Sequence, residues 1–101
     1  MEKHAKELAG LLSALANPNR LMILCQLMES PLSVGELGKK LDTISQPAIS
    51  QHLHTLQNMG IISGEKKGQF VIYSLRDSRI RILFQTLKEQ FCPDVAHKPH
   101  I

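Results

Sequence analysis

From Ala5 to Leu56 the apolar residues fall at helical spacing, and after Gly60 they give way to the β-branched and aromatic pattern that strands use. Ala5, Leu8, Ala9, Leu12 and Ala16 mark an amphipathic first helix. Asn17 followed by Pro18 is an N-cap with proline at the first helical position, which closes that helix and opens a second. There Leu21, Leu24, Cys25 and Met28 repeat at i, i+3, i+4 and i+7, so the pattern predicts a buried stripe with Cys25 inside it. In "SPLSVGELGKKLD" Ser33 and Glu36 have capping-box spacing, and Val34, Leu37 and Leu41 face inward from a short helix. Gly35 and Gly38 each cost such a helix roughly 1 kcal/mol against alanine, so tertiary packing must hold it.

"DTISQP" interrupts the period and Ser45 caps a further helix, where Pro47 is tolerated because first-turn N–H groups have no helical partner. Its core face is Ile49, Leu53 and Leu56 with His52 beside them. Its opposite face is Pro47, Ser50, Gln51, His54 and Asn58, with Gln46 at the exposed N-terminal end. "IISGEKKGQFVIYSL" predicts a β-hairpin turning at "EKKG", with Gly68 supplying the positive φ and Lys66 and Lys67 near the tip. "RDSRIRILFQTLKEQF" returns to helix, with Asp77 as N-cap and Ile80, Leu83, Phe84, Leu87 and Phe91 on one side. Pro93 stops it, and residues 93–101 are expected to form a loosely ordered tail. No internal repeat or low-complexity segment interrupts residues 1–101, which are read as one domain.

Composition narrows the class. With 43% hydrophobic and 21% charged residues the chain resembles soluble globular proteins rather than disordered ones. A formal charge of +3 permits a polyanionic partner without requiring one. No apolar run approaches the roughly 18 residues needed to cross a bilayer. The opening "MEKHAKELAGLLSALA" loosely imitates a signal peptide, but Glu2 and Glu7 interrupt its basic region, and the amphipathic helix is the better reading. Two cysteines without an export signal suggest a reducing cytoplasm, where a thiol pair is more often redox-active or metal-binding than structural.

From Thr43 to Gly64 there is no Lys, Arg, Asp or Glu, although a helix with an exposed face runs through that stretch. Four helices, a hairpin and a last helix are the order of a mainly α winged helix-turn-helix (α-α-α-α-β-β-α), in which the second helix of the turn motif offers its N-terminal residues to base edges in the major groove. Base reading needs donors and acceptors on short, orientable side chains: glutamine pairs bidentately with adenine, and serine adapts to several bases. Carboxylates there would repel phosphates. Gln46, Ser50 and Gln51 are therefore the candidate base readers, and His54 points with them. Lys39 and Lys40 before the turn, and Lys66 and Lys67 on the wing, lie where phosphates would run.

"ALANPNRLMIL", "SVGELGKKL", "SQPAISQHLHTLQNMGII" and "KKGQFVIYSL" together resemble the ArsR/SmtB family of bacterial winged-helix repressors, from about residue 5 to residue 93. The resemblance implies a homodimer joined through its first and last helices, bound to a two-fold symmetric operator on double-stranded DNA and released by an inducer. It places Gln46, Ser50 and Gln51 on the family's base-reading positions. Pro47 replaces the usual small polar residue, and one extra residue in "LDTIS" lengthens the turn.

Many relatives in that family sense metals, and a thiophilic tetrahedral site needs about four Cys or His ligands. The helix "SVGELGKKLD" has neither, so the family's thiolate cluster has no counterpart. His97 and His100 could close the family's other site, but Thr86 and Phe84 stand eleven and thirteen residues before His97, where an Asp and a His belong. No resident metal or cofactor is therefore expected, and a site built from Cys92, His97 and His100 is the alternative. "LMILCQL" and "EQFCP" resemble the two cysteine positions of the family's dithiol branch, the SqrR/BigR-type repressors that respond to sulfide-derived persulfides or oxidants. That resemblance implies a redox switch at Cys25 and Cys92, with a small reactive sulfur species or oxidant as inducer. No enzyme is expected: there is no placeable Ser/His/Asp set, no glycine-rich phosphate loop and no C-x-x-C motif. A winged helix used only for protein contacts is the rival of another class.

Overall fold

Each of the central helices begins where a short polar side chain replaces a missing main-chain partner. The computed structural model describes residues 1–91. Its elements are α1 (Glu2–Leu15), α2 (Pro18–Glu29), α3 (Val34–Lys40), α4 (Gln46–Asn58), β1 (Ile62–Lys67), β2 (Phe70–Leu75) and α5 (Ser78–Phe91), the order expected from the sequence. Asn17 Oδ1 accepts from the main-chain N–H of Arg20 at 3.1 Å, with Pro18 in the first turn of α2. Ser33 and Glu36 form the reciprocal capping box, at 3.2 Å to the Glu36 N–H and 2.9 Å from the Ser33 N–H. Ser45 Oγ accepts from the Ala48 N–H at 3.3 Å, and Asp77 Oδ1 from the Arg79 N–H at 3.0 Å.

The core draws on every one of these elements except β2, whose Tyr73 and Leu75 pack against it half-buried. Leu37 and Leu41 close it at α3, Ile49, Leu53 and Leu56 line α4, and Ile80 and Phe84 face it from α5. The stripe on α2 differs from expectation. Ile23, Leu24 and Leu27 are buried, whereas Leu21 is exposed and Cys25 and Met28 are half-buried along the margin facing α5. The core-facing series begins at Arg20, one residue before the series chosen from the sequence. In "RLMILCQLM" both series are apolar enough to satisfy the helical template, and the charge on Arg20 disguises the true one.

The hairpin is antiparallel, with register pairs from Ile62↔Leu75 to Lys67↔Phe70. Its turn is therefore Gly68–Gln69 rather than "EKKG", and β1 continues through Lys67. Gly68 has φ 64° and no non-glycine residue has positive φ, as a type II′ turn requires of its first and second central residues. Gly64 lies opposite Tyr73, and a Cβ there would come within 2.9 Å of Val71 Cγ1 and 3.0 Å of Tyr73 Cε1, so the ring closes over a bare backbone. A third rung joins the hairpin to the rest: Leu32, just before α3, pairs with Tyr73 through N–H···O bonds of 3.0 and 2.8 Å.

α1 meets α2 at 92° and buries only Ala14 and Leu15, leaving Leu8 and Leu12 about half exposed. On α5 the expected apolar side divides: Ile80 and Phe84 are buried, Leu83 is half-buried, and Leu87 and Phe91 are exposed, as is Ile82, which the sequence pattern does not assign to that side. Among the described residues no single helix is long and apolar enough to cross a membrane. The expected tail, together with Cys92, His97 and His100, lies outside the described residues.

Candidate nucleic-acid interface

Packing of α3 against α4 fixes where the polar side chains project. Leu37 and Leu41 anchor α3, and Ile44 is buried within the five-residue connection, its N–H donating to the Leu41 carbonyl at 3.0 Å. Burying Ile44 pins the lengthened turn. Ile49, Leu53 and Leu56 then turn Gln46, Ser50, Gln51, His54 and Asn58 to solvent on the outer face of α4, together with Pro47. Lys39 and Gln46 line one shallow groove of about 360 Å³ with Gly35, Gly38 and Ile44, so the first lysine of the pair lies beside the head of α4. Lys40 is exposed at the end of α3.

Asn58 Nδ2 and His54 Nε2 are 3.2 Å apart, one helical turn along the outer face. That hydrogen bond orients the imidazole of an exposed histidine. His52, by contrast, is half-buried toward the core, as expected from its place in the pattern. Burial, and secondarily the nearby Arg20 guanidinium, hold its pKa below the usual histidine value. Arg20 was not singled out in the sequence; its Nε is enclosed without a hydrogen-bond partner. A charged residue at the head of an apolar stripe was the signal that could have found it.

The hairpin carries the other cations. Lys66 and Lys67 are exposed next to the Gly68–Gln69 turn, and Lys67 Nζ is 3.8 Å from Glu65 Oε1, a solvent-exposed pair of little energetic weight. The uncharged donors and acceptors of α4 thus have a lysine beside their head, and further exposed lysines stand at the end of α3 and on the hairpin, a set suited to a polyanion with readable edges.

A second feature lies away from this face. Cys25 lines an apolar cavity of about 290 Å³ between α2 and α5 with Leu21, Phe84, Leu87, Phe91 and Lys88. Cys25 was expected within the buried stripe; it is half-buried on the helix margin and opens on this cavity. Its expected counterpart Cys92 follows Phe91, a lining residue, but is itself outside the described residues. Among the described residues no three His, Cys, Asp or Glu side chains converge to hold a metal.

The description "bacterial regulatory protein, arsR family" matches residues 17–63, the span from the cap of α2 through the start of the hairpin. The chain is 40% identical over 92 residues to the transcriptional activator HlyU of Vibrio cholerae, covering 91% of this chain and 84% of that protein. It is 42% identical to the biofilm growth-associated repressor of Agrobacterium fabrum, covering 91% of this chain and 78% of that one. Among solved structures, reduced HlyU from Vibrio cholerae superposes with a TM-score of 0.84 at 40% identity, covering 91% and 96% of the two chains. The transcriptional repressor BigR from Xylella fastidiosa gives 0.83 at 39% identity, covering 91% and 93%.

Proposed function

The chain belongs to the arsR family of bacterial regulatory proteins and has their winged-helix fold, so it is a DNA-binding transcriptional regulator rather than an enzyme; on that premise we propose that it is a repressor. In this reading it acts as a homodimer on a two-fold symmetric operator and is released by thiol chemistry at Cys25 and Cys92. The observation that carries it is the outer face of α4, where Gln46, Ser50, Gln51 and His54 stand exposed without a carboxylate and Lys39 lies beside Gln46, with Lys40, Lys66 and Lys67 exposed as well. Gln46, Ser50 and Gln51 read base edges, His54 supports them, and the four lysines meet phosphates. The relatives include both an activator and a repressor by name. Repression is chosen because the two cysteine segments resemble the dithiol repressors, since the fold superposes equally well on HlyU and on BigR.

Exposed Leu8 and Leu12 on α1 and Ile82, Leu87 and Phe91 on α5 support a dimer joined through those helices, since a small monomer seldom leaves so much apolar surface in water. For the switch, support comes from the cavity beside Cys25: its walls are apolar, with Lys88 contributing its hydrocarbon stem, so a small reactive sulfur species entering it is shielded from water. A thiolate attacks the outer sulfur of a persulfide, R–S–SH, taking that sulfur and expelling the thiolate RS⁻. The second cysteine thiolate attacks the protein-bound persulfide, forming the Cys25–Cys92 disulfide and expelling hydrosulfide. Both thiols are oxidised and the transferred sulfur is reduced. Tied at the end of α5, the dimer would hold its two α4 helices away from half-sites about 34 Å apart.

Salt-dependent titration of duplex DNA tests the central claim. Binding that weakens steeply with salt and is restored by reductant after persulfide treatment is the expected result. Absence of duplex binding at low salt would overturn it.

A further inference from the structure

Phe70 is 60% exposed at the tip of the hairpin, so that more than half of a large aromatic side chain is left in water. It closes the Gly68–Gln69 turn opposite Lys67, and the next pair inward is Lys66 with Val71, itself 39% exposed. The tip is thus two lysines and two apolar side chains. Along β2 the alternating series Val71, Tyr73 and Leu75 leads from the tip into the half-buried packing against the core. Phe70 and Ile72 instead line a cleft of about 230 Å³ beside Ser33 and Glu36, at the head of α3. The ring therefore sits on the turn-motif side of the hairpin. It lies at the opposite end of β2 from Leu75, about 16 Å away at strand rise, and so is remote from the apolar faces of α1 and α5 that a second copy would cover.

We infer that Phe70 is an apolar contact to duplex DNA, laid by the hairpin tip against the sugar edges of the minor groove that flanks the segment read by α4. The inference rests on the DNA-binding reading above. With α4 in a major groove, an element projecting beside it meets the adjoining backbone and minor groove. That groove is only about 6 Å wide and admits one ring rather than a two-stranded ribbon. Lys66 and Lys67 supply the charge complementarity that brings the tip to phosphates. The weak Glu65 ion pair at 3.8 Å is readily exchanged for a phosphate. Between phosphates the groove walls are deoxyribose carbon and hydrogen, a surface suited to an aromatic ring. Such a contact carries little sequence information, so Phe70 adds affinity on any duplex while α4 supplies discrimination.

The chain contains no tryptophan, so Phe70→Trp places one indole at the tip as a reporter. With a mixed-sequence duplex of about 30 base pairs, long enough for two half-sites one helical turn apart, indole emission is expected to quench on binding. Phe70→Ala should weaken binding to that duplex about three- to tenfold, with Phe70→Leu intermediate, and leave the salt slope unchanged because no phosphate contact is lost. Lys67→Ala should lower the slope by about two, one phosphate contact being lost from each subunit of the dimer. Binding of Phe70→Trp with wild-type affinity and unchanged emission would show that the ring stays in water, overturning the inference while leaving the DNA-binding reading intact. Unchanged affinity of Phe70→Ala would overturn it equally, and a partner other than DNA would then be the occupant to seek. If the wild-type protein binds no duplex, both readings fall together.

Discussion

Arg81 on α5 donates from Nη1 to the main-chain carbonyl of Met28, 2.6 Å away, at the last turn of α2. A cation placed on an otherwise unsatisfied helix C-terminus is doubly favourable, through the hydrogen bond and through the helix dipole. It also clamps α2, which carries Cys25, to α5, which leads to Cys92. Because Arg81 is exposed, Arg81→Ala is expected to lower unfolding free energy by only about 0.5 to 1.5 kcal/mol, read as a shift in urea midpoint at constant slope.

The thiol proposal is tested most cleanly at Cys92. Persulfide treatment of the wild type should give a mass consistent with an intramolecular sulfur bridge and lower DNA affinity, both reversed by reductant. Cys92→Ser should bind DNA normally when reduced and keep binding after persulfide. Release as complete as in the wild type would sink the dithiol mechanism. Cys25→Ser is a second test, with a stability cost of about 1 to 3 kcal/mol if its hydroxyl finds no partner in the apolar cavity.

Sequence reading by α4 separates from phosphate attraction in two substitutions. Gln51→Ala is expected to weaken binding to a selected operator by about 1 to 3 kcal/mol while sparing random DNA. Lys67→Ala should weaken both alike. Equal losses on both duplexes for Gln51→Ala would show that this face does not discriminate bases.

Sedimentation addresses the dimer. The wild type, fully reduced, should sediment as a dimer at micromolar concentration, and Leu12→Asp combined with Leu87→Asp should give a folded monomer, since both side chains are exposed in the isolated chain. Operator affinity should fall when dimerisation is lost. A wild-type monomer with full operator affinity would refute the proposed assembly.

His52 gives a pH dependence with a definite sign. Its folded-state pKa lies below 6.5, chiefly through burial and then through Arg20. The unfolded chain therefore takes up this proton first, and stability is lost as pH falls below about 6.5 toward the depressed value. His52→Gln, neutral throughout, should flatten urea midpoints measured between about pH 7 and pH 5. An identical decline in the variant would assign the acid sensitivity elsewhere.

Caps, periods and the hairpin were legible because each depends on a few adjacent residues: Asn17 with Pro18, Ser33 with Glu36, Ser45, Gly68. The outer face of α4 was legible for the same reason, since exposure follows from helical period once Ile49, Leu53 and Leu56 are assigned to the core. The stripe on α2 was not, because a nearly continuous apolar run satisfies two registers and only packing chooses between them. The hairpin turn was displaced by two residues because lysines favour loops in general, whereas pairing with Val71 and Phe70 keeps Lys66 and Lys67 in the strand. Leu32↔Tyr73 and Arg81–Met28 join positions far apart in the chain, and no local pattern announces them.

The rung between Leu32 and Tyr73 has a mechanical consequence. It sews the hairpin to the segment that launches α3, while Ile44 and the α4 core residues fix α4 to the same body. In the proposed dimer each subunit would then grip DNA like one rigid jaw of a caliper. A chemical signal arriving at α2 and α5 gains nothing by bending the jaw; in the proposed dimer it acts by resetting the gap between two jaws that keep their shape.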